Sequence, residues 1–224
     1  IWFSIVPSTK KDAVTTANTN KNSMKKAIPF LLQKDAVFQE ILNLYGEPYI
    51  STRLEGFVSL CKLIIEQQVS LASAKACFLK LESFLGTVTP TTILKASEED
   101  LRNNGVSKQK ANYLKALATA VVEKVLDLET LSQKEETQIK KELTAIKGIG
   151  NWTADVYMMF CLQKENVFPI GDIALQNTLK ELYPVTTKEE MLTLAKKWEP
   201  HTSLATYFFW HYYLKKRNRK PLVY

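Results

Sequence analysis

The run Leu143 to Asp155, Leu-Thr-Ala-Ile-Lys-Gly-Ile-Gly-Asn-Trp-Thr-Ala-Asp, concentrates the residue types best suited to holding an anion. Gly148 and Gly150 flank Ile149 and separate two stretches of helical composition. Glycines reach backbone angles that other residues resist, and they let main chain approach a ligand closely. The N–H groups opening the second helix point outward, where the helix dipole favours negative charge. Such a turn suits a phosphodiester and carries no sequence readout. It is not a dinucleotide fingerprint, because Thr153 stands where a third glycine belongs and no strand precedes it. It also lacks the Gly-Lys-Ser/Thr ending of a nucleotide-binding P-loop. On the glycines alone, an ordinary helix–helix turn fits equally well. The second candidate is Asp172, which closes Phe168-Pro169-Ile170-Gly171-Asp172 just before a helical pattern at Leu175, Leu179 and Leu182. Its type and place read first as a helix N-cap. A carboxylate so placed can also stabilise a developing positive charge.

The elements that must position these residues read as helices throughout. Ile28 to Tyr45 has an apolar helical pattern. Leu54, Phe57, Val58, Cys61, Ile64 and Ile65 follow helical spacing, and Gln67-Gln68-Val69-Ser70 interrupts them. Ser70 is placed to cap a stripe of Ala74, Phe78, Leu81 and Leu85 that Gly86 closes. Ser97-Glu98-Glu99-Asp100 resembles a capping box before a short helix ending near Gly105. Leu114, Leu117, Ala118, Val121, Val122 and Val125 form an amphipathic stripe. Ser132 to Glu135 reads as a further capping box leading into Ile139 and Leu143. Thr187 to Glu190 caps a helix running toward Trp198, and Leu204 to Leu214 is an aromatic-rich final helix. Period-two alternation with turn chemistry is scarce, so the expected class is all-α, without internal repeat.

The chain has 224 residues, 46% of them apolar and 24% charged. That is enough for a sizeable core and too hydrophobic for global disorder. Lys and Arg number 30 against 23 Asp and Glu, a net charge of +7 that fits a polyanionic partner. Cys61, Cys77 and Cys161 stand far apart, and only His201 and His211 exist. A disulfide framework, a four-cysteine cluster and a His-rich metal site are therefore not expected. Ile1 to Pro7 reads poorly as a signal peptide and no apolar run spans a membrane. The expected setting is intracellular: cytoplasm or nucleoid in a bacterium, nucleus in a eukaryote. The polar stretch through residue 26 reads as a flexible arm or leader.

Taken in order, the motifs resemble those of the helix-hairpin-helix DNA glycosylase superfamily, in the branch of DNA-3-methyladenine glycosylase II. Leu143 to Asp155 resembles its hairpin, and Phe168 to Asp172 its Gly/Pro-rich loop and catalytic Asp. Gly105-Val106-Ser107-Lys108-Gln109-Lys110-Ala111 is similar to the segment after its short helix. Leu63 to Ser73 resembles the first core helix and following turn. Trp198-Glu199-Pro200 and Ser203 through Trp210 resemble the family's ending. The likeness covers about Arg53 to Leu214.

The resemblance implies a two-lobed helical fold with the active site in a cleft between lobes. Residues 53–147 are expected to form a central lobe. Residues 148–224 would carry the second hairpin helix, the catalytic loop and the C-terminal lobe, with 27–52 packing on that lobe. Asp172 takes the catalytic role, supporting departure of a damaged base through an oxocarbenium-like transition state. Trp152 stands where bifunctional relatives place a Schiff-base lysine, which removes the covalent route. Trp152, Tyr157, Tyr207 and Trp210 are the expected base pocket, with Val156 where some relatives carry an aromatic. Gln67 and Gln68 stand where relatives insert a wedge at the flipped site. Ser70, Gly105, Ser107, Lys108, Lys110, Lys147, Gly148, Ile149, Gly150, Asn151 and Thr153 complete the expected DNA contacts. No metal centre or organic cofactor is implied, and a monovalent cation at the hairpin carbonyls is compatible with the likeness. The implied partner is double-stranded DNA containing damaged bases, met by a monomer with no membrane association. The implied activity is hydrolytic removal of alkylated bases in base excision repair, without strand cleavage. A non-catalytic hairpin protein that binds DNA, or a glycosylase for deaminated or mismatched bases, stands as the alternative.

Overall fold

The computed structural model describes residues 24–219. Among them the chain is helical, with no strand. It divides into two units: one runs to Leu54 and resumes at Gln163, and the other spans Glu55–Leu162. Most of the arm expected through residue 26 lies outside the described residues. Met24, however, is buried, so the folded part starts earlier than its polar surroundings suggest.

The first unit contains α1 (Ile28–Lys34), α2 (Ala36–Tyr45), α10 (Ile173–Leu182), α11 (Lys188–Ala195), a 3-10 turn at Lys196–Trp198, and α12 (Thr202–Lys216). The helical pattern over Ile28 to Tyr45 is thus two helices, broken where Asp35 turns extended and caps α2 through the Val37 N–H. The other oxygen of Asp35 accepts from the Tyr183 hydroxyl at 2.9 Å and the Trp198 indole N–H at 3.3 Å. Those bonds tie the cap to an aromatic core in which Phe38 meets Trp198, Phe208 and Phe209 at ring separations of 5.6, 5.3 and 5.3 Å. Edge-on and tilted pairs of this kind add to the area that they bury.

The second unit contains α3 (Phe57–Glu66), α4 (Leu71–Leu85), α5 (Pro90–Lys95), α6 (Glu98–Asn103), α7 (Lys108–Val122), a 3-10 turn at Leu131–Gln133, α8 (Glu136–Thr144) and α9 (Asn151–Phe160). Ser70 accepts the Ser73 N–H, and Ser97 with Asp100 forms a reciprocal capping box. In the other unit Thr187 and Glu190 do the same at the start of α11. Such caps satisfy N–H groups that a helix leaves unbonded, at about 1 kcal/mol each.

Three expectations fail here. Ser132 to Glu135 is not a capping box, and α8 starts from Glu135 without a side-chain cap. Asp127 organises a turn with Glu129 and Thr130, and the buried Leu131 draws Ser132 into the 3-10 turn instead. The stripe on α7 ends early: Val122 and Val125 are exposed, and Leu126 is buried in their place. Lys124, at φ 57°, reverses the chain there. The hairpin's second helix, expected with residues 148–224, belongs to the Glu55–Leu162 unit, because α9 packs on α8 and α3.

Candidate active site

Asp172 is the N-cap of α10, and its Oδ1 accepts the Leu175 N–H at 2.8 Å. The preceding loop is held tightly. The Asp172 N–H reaches the Pro169 carbonyl at 2.8 Å, and Gln176 Nε2 donates to the Ile170 carbonyl at 2.7 Å. Trp210, on α12, donates its indole N–H to the same Asp172 oxygen at 3.0 Å. Two donors on one oxygen fix the plane of a half-buried carboxylate at a helix N-terminus, where the dipole favours its charge. Tyr207 meets the Trp210 ring edge-on at 5.8 Å.

In the other unit, α8 and α9 form the hairpin. Gly148 has φ 96°, and a Cβ there would lie 2.2 Å from Tyr113 Cγ, so both backbone and space demand glycine. Gly150 caps α9 without a side chain, and the Ala154 N–H is the first to close onto its carbonyl. The opening turn of α9 therefore presents its N–H groups outward. Lys147, Gly150, Asn151 and Trp152 are exposed around it, Trp152 at 36%. An open groove beside the hairpin is lined by Gln67, Tyr113, Lys147, Gly148, Gly150 and Trp152.

The hairpin is braced by an ion pair absent from the sequence expectations. Asp155 is 1% exposed on α9 and meets Lys140 Nζ on α8 at 2.8 and 3.1 Å. Burial pushes the Asp155 carboxyl above its ordinary pKa, and Lys140 opposes the shift. Lys four residues before the end of one helix and Asp on the next gave no local signal of pairing.

Several expected site residues face elsewhere. Tyr157 is fully buried and its hydroxyl accepts the Gly56 N–H at 2.8 Å, with burial raising its pKa. Tyr207 is buried, with its hydroxyl on the Ser51 carbonyl at 3.2 Å. Neither ring is presented as a stacking surface, because each fills core beneath the exposed positions. Ile149 and Thr153 are buried, so Ile149 offers main chain only, and Thr153 Oγ1 accepts from Gln67 Nε2 at 3.1 Å. Gln67 is turned inward and also donates to the Gly148 carbonyl at 2.9 Å. Lys110 is turned inward too, donating to the Ile65 and Gln67 carbonyls at 2.7 Å each. It is not disposed as a phosphate contact.

Gln68 is exposed, at φ 57°, as is Ser70 two residues on, and Gly105, Ser107 and Lys108 are exposed in the turn before α7 and at its start. Ser107 Oγ caps α7 by accepting the Lys110 N–H. His211 Nε2 bonds the Tyr45 carbonyl at 3.0 Å, and burial lowers its pKa. Near the end of α12, Lys216 and Arg217 both face Glu181.

Residues 61–200 match the family model described as HhH-GPD superfamily base excision DNA repair protein. The chain belongs to that superfamily. A DNA-3-methyladenine glycosidase from Bacillus halodurans is similar, with TM-score 0.77 and 33% identity over 87% of this chain and 91% of that one. The Schizosaccharomyces pombe 3-methyladenine DNA glycosylase Mag1, solved in complex with abasic DNA, gives TM-score 0.72 and 27% identity. That match covers 83% and 95% of the two chains. A DNA-3-methyladenine glycosylase of Bacillus subtilis (strain 168) is 28% identical over 202 residues, 84% of this chain and 64% of that protein. This HhH-GPD chain has no helix among its described residues long and apolar enough to cross a membrane.

Among the described residues no cluster of His, Cys, Asp or Glu could hold a metal ion. The hairpin turn offers neutral main-chain carbonyls, of which that of Gly148 accepts from Gln67 and that of Ile146 from the Ile149 N–H. Neutral oxygen donors suit a weakly held hard cation, which would brace the turn and supply no redox or thiolate chemistry.

Proposed function

We propose that this HhH-GPD protein is a monofunctional DNA glycosylase that everts and hydrolytically removes alkylated bases of the 3-methyladenine type from double-stranded DNA. The observation that carries the chemistry is the Asp172 carboxylate, oriented by the Leu175 N–H and the Trp210 indole. As the N-glycosidic bond breaks, positive charge develops at the sugar, and a fixed carboxylate beside it lowers the barrier electrostatically. The relatives named as 3-methyladenine glycosylases support the choice of base. The hairpin supplies the sequence-independent grip on the strand through outward N–H groups at Gly150 and Asn151. Strand cleavage through a Schiff base needs an amine at the sugar, and Trp152 has none to offer.

The deciding experiment is Asp172→Asn, with single-turnover release of methylated bases and duplex affinity measured on the same protein. Base release is expected to fall by about 10²–10³ or more with affinity nearly intact. Wild-type release by the variant would overturn the assignment, as would a wild-type protein that binds methylated duplex and releases nothing. Borohydride added during turnover is expected to trap no covalent adduct. An adduct lost in Lys147→Ala would identify Lys147 as a nucleophile and make the enzyme bifunctional.

A further inference from the structure

We infer that Lys110 is a positioning residue for base eversion: by gripping the Ile65 and Gln67 carbonyls it locks the turn that presents Gln68 to the duplex. This assignment rests on the glycosylase function proposed above.

Lysine ordinarily keeps its ammonium in water. Lys110 instead spends two donors on carbonyls 45 and 43 residues away in sequence, each at 2.7 Å. Those carbonyls lie at the C-terminal end of α3, where the helix dipole favours a cation. Burial lowers the Lys110 pKa, so the contact is held against a desolvation cost.

Gln67 is clamped from a second side. Its side-chain amide donates to Gly148 O at 2.9 Å and Thr153 Oγ1 at 3.1 Å. One residue thus joins α7, through its carbonyl, to the hairpin, through its amide. The next residue, Gln68, is exposed with φ 57°. A non-glycine residue in the left-handed region is uncommon, and it persists where the surroundings over-determine it. Val69 follows at 45% exposure. The exposed tip is a strained turn mounted directly on two anchors.

A side chain that fills the space left by an everted base must resist the restacking of its neighbours, which is worth a few kcal/mol. A turn free to rotate would yield to that force. Loss of the Lys110 grip should therefore impair eversion while leaving phosphate binding and the chemistry at Asp172 unchanged.

The test compares excision of 7-methylguanine placed opposite cytosine with excision of the same base opposite a tetrahydrofuran abasic analogue. The unpaired base leaves the stack with little help. Lys110→Met is expected to slow single-turnover release from the paired duplex by about tenfold or more. Release opposite the analogue should change by less than about threefold, with duplex affinity held. Lys110→Arg, which also carries several donors, should restore most of the paired rate. Equal losses on both duplexes, or no loss on either, would overturn the assignment. If Lys110→Met does not fold, Lys110→Gln replaces it under the same criterion. A wild-type protein that releases no base from either duplex overturns the proposed function itself, and the Lys110 role with it.

Discussion

Trp210 donates its indole N–H to the same oxygen of Asp172 that caps α10, at 3.0 Å against 2.8 Å for the Leu175 N–H. The tryptophan is thereby tied to the carboxylate's orientation. Trp210→Phe removes the donor and keeps a ring against Tyr207. Single-turnover base release is expected to fall by about tenfold, less than the about 10²–10³ expected for Asp172→Asn. Because the two act as one unit, the double variant should be no slower than Asp172→Asn alone. Additive losses would show that Trp210 works independently of the carboxylate.

Gly148 is constrained twice, by φ 96° and by a Cβ position 2.2 Å from Tyr113 Cγ. Gly148→Ala should lose about 1–2 kcal/mol from the backbone conformation alone, and more from the clash. Thermal unfolding and affinity for undamaged duplex should both drop, since the hairpin must shift to make room. Adding Tyr113→Ala should recover only the part due to the ring, because the retained Tyr113 Cβ would still lie 2.5 Å from the new methyl, and the backbone part should remain. Full recovery in the double variant would mean that the left-handed angle costs nothing there.

Lys140 and Asp155 make the hairpin's internal brace, and its pH dependence has a definite sign. Asp155 has a raised carboxyl pKa when folded, so the folded state holds that proton more tightly than the unfolded chain does. Its ionised form therefore costs stability at neutral pH, and the cost fades as pH falls through the raised value toward the ordinary carboxylate range. Removing Lys140 removes the group that lowers this pKa. Lys140→Met should destabilise by about 1–3 kcal/mol at pH 7, less than for a wholly buried pair because the Lys140 side chain is 34% exposed. The loss should shrink on acidification, and Asp155→Asn in the same background should relieve it at pH 7. A loss that grows toward acid pH would contradict this assignment of the brace.

What the sequence discloses and what it hides divide along the range of the interactions. The caps at Ser70, Ser97 and Thr187 bond N–H groups three residues away, and all three are legible. Gly148 and Gly150 are legible because a tight turn between helices leaves little alternative. The anchoring by Gln67 and Lys110 is hidden, because their partners stand 43 to 86 residues off, beyond any local pattern. The burial of Tyr207 is hidden for a different reason. From Thr202 to Tyr212 the helix is buried on every side except near Trp210, so its aromatic spacing has no exposed face to contrast with.

Cationic lesions such as 3-methyladenine and 7-methylguanine should be released faster than neutral ones such as hypoxanthine. A cationic base already carries the charge that makes it a leaving group, so it needs little proton donation. The two histidines are committed elsewhere: His211 to the Tyr45 carbonyl at 3.0 Å, and His201 to Glu165 at 3.2 Å. Burial also lowers the His211 pKa, which disfavours the protonated form that an acid requires. Indole faces attract a cation by about 0.5–2 kcal/mol per favourable contact. Trp152, at 36% exposure, is the more accessible of the two candidate indoles, while Trp210 is half-buried and tied to Asp172. Trp152→Ala should therefore slow release of 7-methylguanine more than release of hypoxanthine, narrowing the preference. Trp210→Phe should slow both by a similar factor, because a misoriented carboxylate affects every sugar alike. The measurement is the ratio of single-turnover rates for the two lesions in wild type and both variants. Faster release of hypoxanthine by the wild type would assign the protein to deaminated bases instead.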